Sequence, residues 1–196
     1  MWYIECVVEL VLRTPRLVLR PVEAADSGAL YPYVSDPELP RFMSWEAHRD
    51  PSETEAWIAV AQEGQARGTD LTWAITFQGP LVGMIGLHDI TRQFRAWRVD
   101  RAELGFWMAP AFQNRGFVTE ASREVVRFGF EALKLHKIIV GCVAENVRSR
   151  RVIDKIGFRL IGEQKEHFFR YSRWWSHLAY EMCVDEWRAV LSLTPS

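Results

Sequence analysis

The chain has 196 residues, 48% of them hydrophobic and 25% charged, with a net charge of −1 and a pI near 6.5. That balance and length suit one globular domain, 1–196, with a single full core. Near-neutral charge disfavours nucleic acid as a partner held by a global basic field, although a local basic patch remains open. No run approaches the roughly 20 apolar residues that span a bilayer.

In chain order, the apolar start, Met1 to Leu12, is broken by Glu5 and Glu9 and lacks a basic leader, so it does not read as a signal peptide. Arg16 to Val22 alternates as a strand, and Asp26-Ser27 offers a cap for a helix carrying Ala29, Leu30 and Val34. Pro37 and Pro40 mark a loop. Ser52 and Glu55 stand at capping-box spacing, opening a helix with Trp57, Ile58 and Ala61 on one side that Gly64 and Gly68 end. Leu71–Phe77 and Leu81–Ile90, joined at Gly79-Pro80, read as a hairpin, and Arg101 to Met108 as the next strand. A helix after Gly116 carries Val118, Ala121, Val125, Phe128 and Leu133. Lys137 to Val143 is a β-branched run expected to be buried on both faces, Asn146 to Ile156 another helix, and Phe158–Ile161 and Leu178–Val184 the last strands. This order implies a mixed sheet with helices on both faces. Cys6, Cys142 and Cys183 are odd in number, far apart and in apolar surroundings, which suggests buried reduced thiols in a cytoplasmic protein rather than a disulfide framework or zinc site. His48, His88, His136, His167 and His177 show no ligand spacing, so no metal is expected.

The most informative stretch runs from Glu103-Leu-Gly-Phe-Trp107 through Met108 and Gln113-Asn-Arg-Gly116-Phe-Val-Thr119 to Ala121, an apolar strand leading through a Gly turn into a long helix. The first N–H groups of a helix lack internal partners and carry its positive end, so a phosphate is well placed there, and Gly116 lets it approach the backbone. A second stretch opens at Asn146, a good N-cap, places Val152, Ile153 and Ile156 at helical spacing, and closes at Gly157-Phe158.

Together these segments resemble the GCN5-related N-acetyltransferase (GNAT) superfamily, whose motif Gln/Arg-x-x-Gly-x-Gly/Ala is matched by Gln113 to Val118. Val118 departs from the family's Gly or Ala and implies a loop slightly farther from the pyrophosphate. Thr14-Pro-Arg16-Leu-Val-Leu-Arg20, Glu103 to Trp107, and Asn146-Val-Arg-Ser149 running to Gly157-Phe158 are most similar to the RimJ/RimL branch, which acetylates protein N-termini and includes enzymes for small amines. The resemblance covers nearly the whole chain. It implies an α/β (α+β) GNAT fold with a central, mostly antiparallel sheet whose middle strands splay. It also implies acetyl-CoA as cosubstrate, bound by Trp107, Met108, Gln113, Asn114, Arg115, Gly116, Phe117, Val118, Thr119, Asn146 and Ser149.

Direct acetyl transfer to an amine needs a base, an oxyanion partner and a proton for the departing thiolate. Glu103 matches the Glu of the family's Glu-Leu-Gly segment and is the candidate base, acting through water; the alternatives are His88 and Asp89, or a purely structural pairing of Glu103 with Arg101 or Arg98. Many family members place a Tyr four residues before the Gly-Phe pair, where this chain has Ile153. Ser149 is therefore the candidate proton donor, against the plainer reading of a first-turn capping residue.

Arginines and aromatics interleave in Arg92 to Arg98 and in His167 to Trp175. Rings there could stack on a peptide, nucleotide or RNA, or simply pack while the arginines reach water. In the family these regions border the acceptor side with the loop of Phe42, Met43 and Trp45, so Trp45, His88, Trp97 and Trp174 are assigned to substrate binding. The acceptor is a peptide N-terminus or a small-molecule amine. The alternative readings are a non-catalytic acyl-CoA-binding module and an RNA-binding protein, and a homodimer is compatible with the exposed-looking tryptophans.

Overall fold

Alternating polarity and turn residues produce most elements where the sequence places them, and a computed structural model describes residues 9–193. Cys6 and most of the apolar start lie outside the described residues. The chain order is β1 (Leu12–Arg13), β2 (Val18–Pro21), α1 (Ser27–Val34), α2 (Pro51–Arg67), β3 (Leu71–Thr76), β4 (Leu81–Phe94), β5 (Trp97–Met108), α3 (Phe117–Glu131), β6 (Lys137–Val143), α4 (Val147–Ile156), β7 (Arg159–Arg170), β8 (Arg173–Cys183) and α5 (Val184–Leu193).

The strands form one sheet in the order β1-β2-β3-β4-β5-β6-β8-β7. All neighbours are antiparallel except β5 and β6. That parallel ladder joins only Arg101–Glu103 to Lys137–Ile139, whereas β5 stays paired with β4 up to Met108 and β6 with β8 up to Val143. The two middle strands therefore part beyond Glu103, opening a V in the sheet.

Helices cover both faces. On one, Leu30 and Val34 of α1 and Ile58 of α2 pack with Ala74, Met84 and Trp107. On the other, Phe117, Ala121, Val125 and Phe128 of α3, Ile153 and Ile156 of α4 and Trp187 of α5 pack with Ile85, Leu87, Leu104, Ile138 and Val140. Gly129 permits the close seat of α3, because a Cβ there would lie 2.9 Å from Ile138 Cδ1.

Several expectations are corrected. Strand β6 is buried on one face only: Ile138, Val140 and Cys142 are buried while Lys137, Ile139, Gly141 and Val143 are half-exposed, since α1 and α2 pack over β2–β4 and leave this part of the sheet uncovered. The cap of α2 is Asp50, whose carboxylate accepts the Ser52 N–H at 2.9 Å, with Pro51 in the first turn, so the Ser52/Glu55 box is not formed. The last strands are much longer than expected and form the hairpin β7–β8. Helix α5 follows, with the Glu186 carboxylate accepting the Cys183 N–H at 2.8 Å. Cys142 is buried and Cys183 half-buried, both as free thiols.

Asp26 does not cap α1. Its buried carboxylate accepts two bonds from Arg20, at 2.8 and 2.6 Å, and the Glu23 N–H at 2.9 Å. Burial alone would raise its pKa, but the Arg20 and Glu23 hydrogen bonds outweigh burial and lower it. A lowered carboxylate pKa stabilises the fold above the unfolded value, and that contribution is lost as pH falls through the folded one. Arg20→Met is expected to cost about 2 kcal/mol at pH 7. Urea denaturation at pH 7 and at acid pH checks this: the cost shrinks as Asp26 is protonated, and an unchanged cost would refute the assignment.

Candidate active site

At the open end of the V, β5 runs into a loop shaped by two left-handed residues, Asn114 at φ 59° and Gly116 at φ 78°. No side chain caps α3, and Glu120 is the first residue whose amide reaches back to the Gly116 carbonyl, at 3.0 Å. The N–H groups of Phe117, Val118 and Thr119 thus stay available at the positive end of a 15-residue helix.

The loop is held from behind by Thr14 and Arg16. The Thr14 hydroxyl donates to Glu120 at 2.6 Å, and Arg16 donates its backbone N–H and its Nε to the same carboxylate at 3.0 and 2.7 Å. Arg16 also donates Nη1 to the Arg115 carbonyl at 3.1 Å and lies 4.6 Å over the Phe117 ring. Burial pushes the Glu120 pKa up, but these Thr14 and Arg16 bonds bring it below its ordinary value, keeping the carboxylate ionised. From the other side Gln113 donates to the Met108 carbonyl at 2.9 Å and accepts Arg148 Nη1 at 2.7 Å, tying β5 to α4.

The space between is a cleft of about 780 Å³, lined by Phe106 to Met108, the loop, the first turns of α3 and α4, and Glu38–Met43 of the α1–α2 connection. Arg41, Arg148, Arg151 and Lys155 outnumber Glu38 and Glu145 along it, which favours a polyanionic ligand. Volume, free amides, left-handed Gly116 and basic rim all fit coenzyme A with its pyrophosphate at α3. Asn146 caps α4, its side chain accepting the Ser149 N–H at 3.1 Å, and Ser149 lines the cleft beside Cys142. Burial raises the Cys142 thiol to about 11, so it stays protonated.

Glu103 occupies the last paired position of the parallel ladder, at the foot of the V, and shares a face with Gly105 and Trp107. It does not line the cleft itself. Among the described residues it makes no ion pair, so the pairing with Arg101 or Arg98 is not formed; Arg98 binds Asp100 instead. Burial raises its pKa, Asp89 adds to the rise, and His88 and Arg101 oppose it. His88 is directly opposite on β4, with its ring over Gly86 and Gly105: a Cβ at Gly86 would lie 2.5 Å from Nε2. His177 lies over Gly141 in the same way, 2.2 Å from an added Cβ, and burial, with a smaller effect from His167, lowers its pKa toward the neutral imidazole. Two imidazoles thus lie on glycines on the uncovered face of the sheet that Glu103 shares.

The cleft brings together Trp107, Met108, Gln113, Asn114, Gly116, Phe117, Val118, Thr119, Asn146 and Ser149. Arg115 is an exception, because its guanidinium lies over the rings of Phe77, Phe112 and Phe117 at 5.1, 5.8 and 4.9 Å. Trp45 is half-buried beside the cleft wall, its ring 5.8 Å from His48. Trp174 is exposed on the β7–β8 hairpin, paired with Phe169 at 5.3 Å. Trp97 is not brought to the cleft: it is 68% exposed, at the start of β5 and the opposite end of that strand from Met108. That puts it up to about 36 Å from the loop. Sequence reasoning missed the supporting role of Thr14 and Arg16, although the motif containing them was visible. Among the described residues no group of three or more His, Cys, Asp or Glu is placed to hold a metal.

Over residues 16–159 the chain matches the family model described as Acetyltransferase (GNAT) domain. It is 27% identical to the uncharacterized N-acetyltransferase YnaD of Bacillus subtilis, over 90% of this chain and 98% of that protein. It is 24% identical to the ribosomal protein uS5-alanine N-acetyltransferase of Escherichia coli, over 90% of this chain and 92% of that protein. Among solved structures, RimL, the ribosomal L7/L12 α-N-protein acetyltransferase in complex with coenzyme A, shares the fold with a TM-score of 0.81 at 17% identity, covering 90% of this chain and 99% of that one.

Gly116→Val puts a β-branched residue at positive φ in the phosphate loop. The coenzyme A dissociation constant is expected to rise about a hundredfold, while the strain lowers the melting temperature by only several degrees and the fold is kept. Calorimetry checks this, and undiminished binding would remove the loop from the site.

Proposed function

We propose that this chain, which belongs to the GNAT acetyltransferase family and is an N-acetyltransferase, transfers acetyl from acetyl-CoA directly to a protein N-terminal α-amine. A small-molecule amine is the second reading. The observation that carries the proposal is the parting of β5 and β6 beyond Glu103, which opens a basic cleft at the free amides of α3 on one side and a carboxylate of raised pKa at its foot. Such a pair of environments separates anion binding from proton removal.

Acetyl-CoA supplies the activated acyl group; the chain binds, orients and moves protons. The N–H groups of Phe117 to Thr119 and the basic rim hold the phosphates, while the exposed ends of the parted strands offer backbone groups to the extended arm. Glu103 receives the ammonium proton through water, leaving the neutral amine as nucleophile. Ser149, whose backbone N–H is fixed by the Asn146 cap, passes its hydroxyl proton to the departing thiolate and is restored by the proton that the newly acylated nitrogen loses. Family membership favours this chemistry over a non-catalytic acyl-CoA-binding module. The uS5-alanine relative makes an N-terminal α-amine the first acceptor class to test, and the cytoplasm is the compartment that fits such a substrate. No helix among the described residues is long and apolar enough to cross a membrane.

The acceptor is tested by mass spectrometry on peptides with varied N-terminal residues and on a parallel panel of small amines. Acetyl gain on a peptide α-amine supports the leading reading, and gain on small amines alone replaces it with the second. Glu103→Gln is expected to lower kcat about a hundredfold with coenzyme A affinity unchanged. In the wild type, kcat/KM rises with pH through the Glu103 pKa, which lies above the ordinary carboxylate range. The variant loses that limb, and an unchanged pH profile would show that another group is the base.

A further inference from the structure

Arg170 ends β7 and turns back toward the α1–α2 connection. Its Nη1 donates to the carbonyls of Pro40 at 3.1 Å and Met43 at 2.5 Å, and its Nη2 donates to the carbonyl of Trp45 at 3.0 Å. The backbone of Arg170 is fixed from its own side. Trp175, 5% exposed, donates Nε1–H to the Arg170 carbonyl at 2.8 Å, and Phe42 meets the Trp175 ring edge-on at 5.5 Å. The segment from Leu39 to Trp45 is thus clasped at three carbonyls and one ring by a hairpin more than a hundred residues away in sequence.

The clasped segment packs Leu39, Met43 and Trp45 against the α1–α2 core and buries Pro40, but among the described residues no backbone hydrogen bond ties it to a strand. Its own backbone bonds are local, Leu39 N–H to Asp36, Arg41 N–H to Glu38 and Met43 N–H to Pro40. Phe42 and Met43 line the cleft together with Asn146 and Ser149. A planar fork of five donors can serve three carbonyls together; a lysine ammonium presents its three donors from one point and cannot span them.

We propose that Arg170 is a positioning residue for acetyl transfer, holding the Leu39–Trp45 segment as the acceptor-side wall of the cleft so that the acyl group and the incoming amine meet in a fixed gap. This rests on the acetyltransferase reading above. The segment packs with Trp107 on the face of β5 that carries Glu103, opposite α3, and gives the basic rim only Arg41, so its loosening alters how the amine is received more than how coenzyme A is held. Misplacement of about 1 Å at such a wall can cost up to a hundredfold in rate.

The test uses the full chain as wild type, Arg170→Lys and Arg170→Ala. Hydrogen exchange over 38–48 reads the clasp, calorimetry with coenzyme A reads the cofactor site, and steady-state kinetics use whichever peptide or amine the wild type acetylates. In both variants exchange is expected to rise about tenfold in 38–48 and stay unchanged in 113–119, with coenzyme A affinity within about threefold. The KM for the acceptor is expected to rise about tenfold, more than the KM for acetyl-CoA, without rescue by lysine. Unchanged exchange overturns the clasp, and faster exchange with unchanged acceptor kinetics overturns the positioning role. If Arg170→Ala loses its near-ultraviolet circular dichroism, Arg170→Gln takes its place under the same criteria. Absence of acetyl transfer by the wild type itself would overturn the acetyltransferase reading and the role resting on it, whereas the exchange result would still report on the clasp.

Discussion

Two neighbouring strands that pair for three residues and then separate impose the constraint on which the site depends. Backbone N–H and C=O groups need partners, and beyond Glu103 β5 and β6 cannot supply them to each other. Each strand is instead held on its outer side, β5 by β4 and β6 by β8, so that the inner edges remain free without loss of the sheet. An extended ligand can therefore enter the fold between strands. The same divergence leaves Glu103 as the last paired residue before the gap, which is where the proposed base would stand.

Electrostatics then divide the site. At the wide end, free amides of α3 and a surplus of Arg and Lys favour phosphate, and the Thr14–Arg16–Glu120 network holds the loop with an ionised carboxylate that faces away from the ligand. At the narrow end, burial and Asp89 make the Glu103 carboxylate easier to protonate. A base in that state takes a proton more readily than an ordinary surface Glu. Glycines at 86, 105 and 141 keep the floor low enough for His88 and His177 to lie across it.

What could be read from the residues divides along physical lines. Gly116 and Asn146 were legible because a left-handed turn and a side-chain cap are local demands that few residue types meet. Glu103 was placed on its strand by alternation, but its position at the foot of the V was not readable, since divergence of strands leaves no periodic trace. Strand β6 misled for a related reason: Ile138 to Val140 is apolar throughout, yet only one face is covered by helices. The two arginine-aromatic segments look alike in sequence but lie on different hairpins, and only that of Arg170 reaches the cleft wall. Arg115 falls within the matching motif, yet three aromatic rings draw its guanidinium aside from the cofactor cleft.

If the parted strands and the α3 amides form one coenzyme A site, hydrogen exchange of the wild type with and without coenzyme A will show it. Exchange is expected to slow over 115–119 and 146–152, with the 94–97 hairpin tip unchanged. Binding that leaves both segments unprotected, or protects the tip instead, would contradict it.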